Sequence, residues 1–193
     1  MKLEIFRPIK VMLYPKAKDI ADAFERVGKP AAFEYKYDGF RMQVHKKGDK
    51  IQIFTRRLDE VSNQFPDIIT FIKEHVTANE CILDGEVIGI DKVTGRWLSF
   101  QHISQRIRRK HDIHEMVNKI PVMITLFDTM EINGENLLTT QFQDRRAKLA
   151  SIINVEKDKI ELIAQIVTDK DEEAKDFYKE SLKKGNEGVM GKK

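Results

Sequence analysis

The stretch EYKYDGFR, which begins at Glu34, places charged side chains at alternate positions. In an extended strand Glu34, Lys36 and Asp38 share one face, because successive side chains point to opposite sides. Gly39 leaves room for a flat ligand or another backbone. A lysine becomes a nucleophile only when its amine has lost its proton, which burial and a nearby cation such as Arg41 favour. The stretch permits a nucleophilic Lys36, but taken alone it fits a solvated strand edge with a Lys–Asp pair better.

Three further stretches carry groups that would complement such a nucleophile. LDGEV places Glu86 in a strand of core residues, where a buried acid needs a cation, a metal ion or a ribose hydroxyl. TLFDTM contains Phe127, a flat aromatic that can stack on a base. EGVMGK places Glu187 and Lys192 at the ends of a short apolar strand. Each residue alone also fits core packing or a strand end that faces water, but together they supply acids, cations and an aromatic surface.

The composition is that of a folded globular protein, since 41% of the 193 residues are hydrophobic and 34% are charged. The N-terminal sequence lacks the features of a secretory signal, and no apolar run approaches the roughly 20 residues of a membrane span. A single cysteine, Cys81, excludes an internal disulfide and suits a reducing compartment. We therefore expect an intracellular protein, cytoplasmic or in the nucleus or nucleoid, without membrane contact.

The charge balance permits a nucleic acid partner without requiring one. The formal net charge is +3, because 34 Lys and Arg residues nearly cancel 31 Asp and Glu residues. Basic residues cluster once, in SFQHISQRIRRK, at Arg106, Arg108, Arg109 and Lys110. The cluster fits phosphate contacts along a DNA backbone and fits a solvated helix face about equally well.

Strands and helices alternate along the chain without a regular βαβ rhythm. Alternating apolar residues on both sides of Gly48 predict a hairpin, and Pro66 opens a helix with an apolar stripe. Further strands are predicted to begin at Cys81, Val122, Ile160 and Glu187, and further helices to cover 18–27, the basic segment from Ser99, 141–153 and the residues after a Thr168 cap. This order favours an α+β fold with antiparallel sheets flanked by helices over a doubly wound sheet.

Five motifs, KYDGFR, FTRR, ILDGEV, ITLFD and EGVMGK, occur in the order and with the gaps typical of ATP-dependent DNA ligases. The chain resembles the adenylation domain of that family, most closely the archaeal and eukaryotic replicative type. The connecting segments RPIKVML, QFPDI and FDTMEINGENLL resemble it too, so the resemblance covers nearly the whole chain. It implies a nucleotidyltransferase (ATP-grasp-like) fold and an enzyme that passes AMP from a lysine to the 5′-phosphate of nicked DNA, in replication and repair.

The resemblance implies a role for each residue of the first motif and for the aromatic residue. Lys36 would attack the α-phosphate of ATP, expel pyrophosphate and hold AMP as a phosphoramidate. Glu34 would contact the adenine, and Phe127 would stack on it. Asp38 would orient Lys36 or a metal-bound water.

The remaining matched residues would surround the sugar and the phosphates. Arg41 and Arg56 would lie near the ribose and phosphate of AMP and later near the 5′-phosphate of the nick. Glu86 and Glu187 would bind the ribose and a divalent metal, Mg²⁺ or Mn²⁺, and Lys192 would touch the α-phosphate. Guanidinium groups suit planar phosphate contacts, and metal and cations offset the charge of the leaving pyrophosphate.

Family members continue past EGVMGK into another lysine-bearing strand and then an OB-fold domain, and larger relatives carry a helical DNA-binding domain in front. We therefore expect residues 1–193 to be an adenylation domain truncated after EGVMGK, without those two domains. Such a fragment would be monomeric, bind ATP or AMP and seal nicks poorly alone. Its partner would be nicked double-stranded DNA, with a sliding clamp as a further partner of the full-length protein.

Other functions share the KxDG lysine or the fold. An RNA ligase or an mRNA capping guanylyltransferase would use the same lysine, although FTRR followed by QFPDI and the RPIKVML lead-in favour a DNA ligase. An NAD-dependent ligase would need an upstream nicotinamide-binding segment. A non-catalytic DNA-binding module of the same fold would form no AMP adduct on Lys36.

Overall fold

The computed structural model describes Lys2–Lys193, and these residues form two compact units. The larger unit contains Gly39–Leu162 together with the N-terminal residues up to Val11. The smaller unit contains Met12–Asp38 and Ile163–Lys193. None of the helices in the described chain combines the length and apolar character needed to cross a membrane.

Ten strands and six α-helices make up the regular structure of the described residues. The strands are β1 Ala31–Lys36, β2 Phe40–Lys47, β3 Lys50–Thr55, β4 Glu80–Ile90, β5 Trp97–Leu98, β6 Val122–Ile132, β7 Glu135–Asn136, β8 Ile160–Leu162, β9 Gln165–Thr168 and β10 Gly188–Lys192. The helices are α1 Ile20–Val27, α2 Pro66–His75, α3 Phe100–Arg108, α4 Ile113–Lys119, α5 Phe142–Ser151 and α6 Asp171–Lys183. A 3₁₀ turn covers Ser62–Gln64.

The smaller unit is a three-stranded antiparallel sheet in the order β10-β1-β9, packed against α1 and α6. Phe33 and Tyr35 lie on the same face of the central strand because side chains alternate along it. Phe24 of α1 meets the Phe33 ring edge-on at 5.0 Å, and Phe177 of α6 stacks on the Tyr35 ring at 4.5 Å. One face of β1 is thus covered by aromatic contacts, and Ala32, Glu34 and Lys36 lie on the other.

The larger unit is a seven-stranded sheet with a main order of β3-β2-β4-β6-β7, while β5 pairs with β4 and β8 with β6. The β6–β8 pair is parallel, and the other pairs of this sheet are antiparallel. Helices α2, α3 and α5 pack on the sheet. The buried core includes Met42, Val44, Ile53, Phe65, Ile68, Ile72, Leu83, Val87, Ile124 and Leu126. The predicted α+β fold with antiparallel sheets and flanking helices is confirmed, with one parallel pair added.

The strand predicted to run from Ile160 divides in two, so that prediction is wrong. Residues 160–162 form β8 and pair with β6, whereas residues 165–168 form β9 and pair with β1. The break falls where Leu162 and Ile163, two adjacent apolar residues, reverse the phase of the alternation. A strand buries the same face throughout only while its period-two pattern persists. The two halves therefore join different sheets.

The predicted Thr168 cap of the last helix is also wrong. The helix begins at Asp171, and Lys170 is the residue in the cap position. The Thr168 hydroxyl instead accepts from the Lys170 backbone N–H at 3.0 Å and donates to the Glu173 carboxylate at 2.6 Å. The first turn of this helix is acidic and its last turn contains Lys183, which complements the helix dipole.

Gly39 is required by the close approach of another backbone, which was one of its two predicted uses. A Cβ atom at this position would lie 2.2 Å from the carbonyl oxygen of Val87 and 3.1 Å from Cγ of Glu86. Neither strand can yield easily, because Phe40 of β2 pairs with Val87 of β4 directly after the glycine. A side chain at this position would therefore force the start of β2 away from β4.

We expect Gly39→Ala to lower the free energy of unfolding by about 1–3 kcal/mol, the usual cost of overpacking. Gly191→Ala is the matched control, because the residues nearest its Cβ would be Phe33 at 3.4 Å and Ala23 at 3.9 Å, which are ordinary contacts. The control should change the stability by less than about 0.5 kcal/mol. Urea unfolding of both variants measures the free energy of unfolding. Equal stability of the two would contradict the conclusion that the close approach of β2 and β4 requires Gly39.

His45 on β2 anchors the N-terminal segment of the larger unit. Its buried ring accepts at Nδ1 from the Phe6 backbone N–H, at 2.9 Å, and donates from Nε2 to Oε1 of Gln43, at 2.7 Å. Gln43 in turn bonds both the N–H and the carbonyl of Ile9, at 3.1 Å each. Because Nδ1 acts as an acceptor, the ring is neutral. Burial lowers the pKa of His45 to about 4.

The lowered pKa of His45 makes stability depend on pH. Below the ordinary pKa of 6.5 the unfolded chain binds a proton that the folded ring refuses until about pH 4. Stability from this group is therefore complete above pH 6.5 and falls by on the order of 3 kcal/mol as the pH approaches 4. We expect His45→Gln to show a shallower loss of urea stability between pH 7.5 and 4.5 than the wild type. Parallel profiles for the two proteins would disprove this role.

Candidate active site

The predicted site residues belong to both units. The smaller unit contains Glu34, Lys36, Glu187 and Lys192, and the larger contains Arg41, Arg56, Glu86 and Phe127.

Strand pairing in the smaller unit joins the first and last motifs. Lys36, at the end of β1, is opposite Gly188, the first residue of β10. The Lys36 carbonyl accepts from the Glu187 backbone N–H at 2.8 Å, and the Lys36 amine forms an ion pair with the Glu187 carboxylate. The acid of EGVMGK is therefore the direct partner of the lysine of KYDG, although about 150 residues separate them in sequence.

The surroundings of Lys36 differ from the predicted ones in two ways. Its side chain is 47% exposed and that of Glu187 is 44% exposed, so the expected burial of the amine is wrong. Asp38 lies beyond the end of β1, and the predicted row of three charged residues on one strand face is reduced to two.

Glu34 is held between its two neighbouring strands. Its side chain is only 1% exposed and forms an ion pair with Lys192 of β10, whose side chain is 9% exposed. From β9, Nε2 of Gln165 donates to Oε1 of Glu34 at 3.0 Å. The direct pairing of Glu34 with Gln165 across β1 and β9 produces this contact. The sequence carried no signal for Gln165, because a glutamine in a strand is usually only a solvated residue.

In the larger unit the guanidinium of Arg41 is fixed by Asp84 on the adjacent strand. Nε of Arg41 lies 3.0 Å from Oδ1 of Asp84, and Nη2 lies 2.5 Å from Oδ2. The same guanidinium lies 5.4 Å from the ring centre of Phe127 on β6. Bidentate pairs of this kind fix geometry as well as charge. β4 continues through Asp84 and Gly85 without a turn, and the Asp84 carboxylate orients Arg41.

Strand register brings Glu86 and Arg56 to the same end of the seven-stranded sheet as Arg41. Glu86 is directly opposite Arg41 across β2 and β4, and its side chain is half-buried. Arg56 follows Thr55, the residue of β3 that pairs with Met42, and it is exposed. Adjacent strands thus group Arg41, Arg56, Glu86 and Phe127 in one region of the larger unit.

Arg106 is a structural residue, so it does not belong to the part of the basic cluster that could contact phosphates. It is fully buried, with Nη2 of its guanidinium 2.6 Å from Oδ1 of Asp67 and 2.9 Å from the Gln64 carbonyl. Its guanidinium lies 4.6 Å from the centre of the Phe65 ring. The other basic residues of the cluster, Arg108, Arg109 and Lys110, are exposed. Their predicted contact with DNA stays a prediction.

The carboxylates predicted to hold a metal fit magnesium bound partly through phosphate oxygens. Within residues 2–193, no three His, Cys, Asp or Glu side chains are grouped closely enough to hold a metal ion by themselves. Magnesium usually binds to one or two carboxylates plus substrate phosphates, and does not need such a cage. Glu187 is 44% exposed and Glu86 is half-buried, so the carboxylates of both residues lie near the surface of their units.

Comparison with known proteins assigns the chain to a family. A family model described as "ATP dependent DNA ligase domain" matches residues 11–193. The chain is 45% identical over 192 residues to a DNA ligase of Nanoarchaeum equitans, covering 100% of this chain and 34% of that protein. It is 42% identical over 191 residues to a DNA ligase of Thermococcus onnurineus, covering 99% of this chain and 34% of that protein. The chain therefore spans about a third of the length of these curated relatives.

Solved structures of ligases share the fold. The Chlorella virus DNA ligase-adenylate has a TM-score of 0.67 at 20% identity, over 95% of this chain and 59% of that chain. The ligase domain of LigD from M. tuberculosis has a TM-score of 0.63 at 24% identity, over 91% and 52%. Together with the archaeal relatives these similarities confirm the predicted family and nucleotidyltransferase fold. The chain thus belongs to the family of ATP-dependent DNA ligase domains.

Proposed function

We propose that this chain is the adenylation domain of an ATP-dependent DNA ligase and that Lys36 carries the AMP. The observation that supports this most directly is the placement of the Lys36 amine at the C-terminal end of β1, against the Glu187 carboxylate. Family membership supplies the reaction class. The activity of the whole ligase is part of the proposal, because the chain spans about a third of its relatives.

In the proposed first step the Lys36 ammonium, paired with Glu187 at rest, gives one proton to solvent, and the resulting neutral amine attacks the α-phosphorus of ATP. A nitrogen–phosphorus bond forms, the bond from the α-phosphorus to the bridging oxygen breaks, and pyrophosphate leaves with the electron pair. The amine loses a second proton to solvent, which leaves AMP as a phosphoramidate on Lys36. Half of the lysine side chain is accessible, so the attack needs no opening of a core.

Glu187 would hold the amine at the end of β1 before the nucleotide binds. An exposed ion pair contributes about 0–1 kcal/mol, so phosphate oxygens can replace the carboxylate at little cost. The released carboxylate, together with Glu86, would then offer oxygen ligands to Mg²⁺ or Mn²⁺. The bound metal would offset negative charge on the phosphates during departure of pyrophosphate. A mycobacterial DNA ligase D of the same fold, with a TM-score of 0.59, was solved in complex with ATP.

The residues of the larger unit would bind the nucleotide and then the DNA end. We propose that Arg41 and Arg56 contact phosphate, since guanidinium groups match its oxygens in planar geometry. Phe127 would stack on the adenine. In this proposal Asp84 is a positioning residue, because its bidentate contact fixes the Arg41 guanidinium before phosphate arrives.

In the smaller unit Glu34 and Lys192 would act as a buried pair. Glu34 would contact the adenine side of the nucleotide, and Lys192 would neutralise its charge while touching the α-phosphate. The pairing of their side chains supports a shared role, since neither is exposed by more than 9%. Asp38, two residues after Lys36 in the sequence, would orient the Lys36 amine.

The later steps would take place on nicked double-stranded DNA. The 5′-phosphate of the nick would attack the phosphorus of the lysine adduct and release the Lys36 amine. The 3′-hydroxyl would then attack the activated 5′-phosphate, and AMP would leave. We propose that residues 1–193 supply the nucleotide chemistry as a monomer, inside the cell where DNA is replicated and repaired. A sliding clamp is a proposed partner of the longer ligase.

Lys36→Ala should abolish covalent AMP transfer, because the substituted chain lacks the only proposed nucleophile. The wild type, incubated with ATP and Mg²⁺, should gain the mass of one AMP moiety by intact-protein mass spectrometry. The adduct should be acid-labile, as a phosphoramidate is. Lys179→Ala is the control, since this exposed lysine lies on α6 of the same unit. Absence of an adduct on the wild type, or its persistence in Lys36→Ala, would refute the proposal, and an adduct formed only with GTP would favour the capping alternative.

Asp84→Asn should slow formation of the Lys36 adduct by about 10- to 100-fold, because a loosely held guanidinium aligns phosphate poorly. Asp112→Asn makes the same change at an exposed Arg109–Asp112 pair of 3.1 Å and serves as control. Single-turnover rates of adduct formation, measured at saturating ATP, report the alignment of the phosphate independently of the affinity for ATP. If both variants adenylate at the wild-type rate, Asp84 does not position Arg41 for the reaction.

A further inference from the structure

Gln165 on β9 contacts Glu34, a proposed nucleotide-binding residue, and takes no part in the proposed phosphoryl transfer. Its Nε2 atom donates to Oε1 of Glu34 at 3.0 Å, and the two residues are directly opposite each other in the register of β1 and β9. The side chain is half-buried, whereas Glu34 is buried. Gln165 therefore reaches from the partly accessible edge of the sheet to the buried carboxylate.

The orientation of the Gln165 amide is determined by the chemistry of its partner. The Glu34 carboxylate pairs with the Lys192 ammonium through Oε2, and an ionised carboxylate only accepts hydrogen bonds. Gln165 must therefore present its NH₂ group to Glu34. The amide oxygen is on the other branch of the same planar group, so it points away from Glu34 as an acceptor.

A fixed acceptor distinguishes purines by the group at position 6. Adenine carries an amino group there, which donates, whereas guanine and hypoxanthine carry a carbonyl, which accepts. An acceptor that meets the amino group gains a hydrogen bond, and one that meets the carbonyl leaves two acceptors opposed. Rejection of a ligand that leaves polar groups unpaired is larger than discrimination by apolar fit.

We propose that Gln165 is a specificity-determining residue that selects 6-aminopurine over 6-oxopurine nucleotides through its amide oxygen, with Glu34 locking the amide in place. This inference rests on the proposed function, specifically on the placement of the adenine beside Glu34. It adds a residue and a physical rule for base choice that the motifs do not contain. Were Gln165 only a structural residue of the edge strand β9, its loss would weaken all nucleotides equally.

The test compares ATP with inosine triphosphate, whose purine carries an oxo group in place of the amino group at position 6. Dissociation constants from calorimetry in the presence of Mg²⁺ should favour ATP by at least about 10-fold in the wild type, the effect of one gained and one opposed hydrogen bond. Gln165→Met keeps the size of the side chain and removes its hydrogen bonds. It should reduce the ratio of the two dissociation constants by about 5- to 10-fold.

Two further variants make the result decisive. Gln52→Met is the matched control, the same change on β3 of the larger unit, and should leave the ratio unchanged. Gln165→Asn withdraws the amide by one methylene and should lower the ratio like Gln165→Met, which guards against a variant that folds poorly.

The outcomes separate this inference from the function on which it rests. A wild type that forms the Lys36 adduct with ATP, while Gln165→Met and Gln165→Asn keep the wild-type ratio, overturns only the role of Gln165. Equal weakening of both nucleotides also overturns it. A wild type that neither binds ATP nor forms the adduct overturns the proposed function and the inference together.

Discussion

The antiparallel pairing of β1 with β10 is the constraint on which the chemistry of the smaller unit depends. It places Lys36 opposite Gly188 and Glu34 opposite Met190, so residues from the two ends of the chain's motif series become neighbours. A register slip of one residue would turn every side chain of β10 to the opposite face. The backbone bond from Glu187 to the Lys36 carbonyl, at 2.8 Å, secures that register at the position where the nucleophile lies.

Two acid–base pairs on this sheet differ in exposure, and the difference suits different tasks. The Glu34–Lys192 pair is almost fully buried, with Gln165 as an additional donor. Removing one member of such a pair would leave an uncompensated charge, so its members are held in a single arrangement. The Lys36–Glu187 pair is about half exposed and weak by comparison. A fixed pair fits recognition of a nucleotide, and an exchangeable pair fits a group that must change partners during a reaction.

In the larger unit the candidate site residues come from three adjacent strands. β2 supplies Arg41, β4 supplies Asp84 and Glu86, and β6 supplies Phe127. Because neighbouring strands lie about 4.8 Å apart, side chains from three strands can meet without any loop to position them. Gly39 permits the close approach of β2 and β4 at this point, since any side chain there would overlap the Val87 carbonyl. The rigidity of the guanidinium is therefore a property of the sheet.

The sequence by itself determined the mixed α+β class, most of the elements and the identity of the motif residues, because periodicity, turns and motif spacing are local properties. Only the tertiary structure decided which charges pair. Burial of Arg106 against Asp67, fixation of Arg41 by Asp84 and the contact of Gln165 with Glu34 each join residues at least 39 positions apart. Such partners depend on the register between distant strands and on helix packing, which no local pattern encodes. The adjacent apolar residues Leu162 and Ile163 indicate locally that the strand predicted from Ile160 is interrupted. Only the tertiary structure decided which strands its two halves pair with.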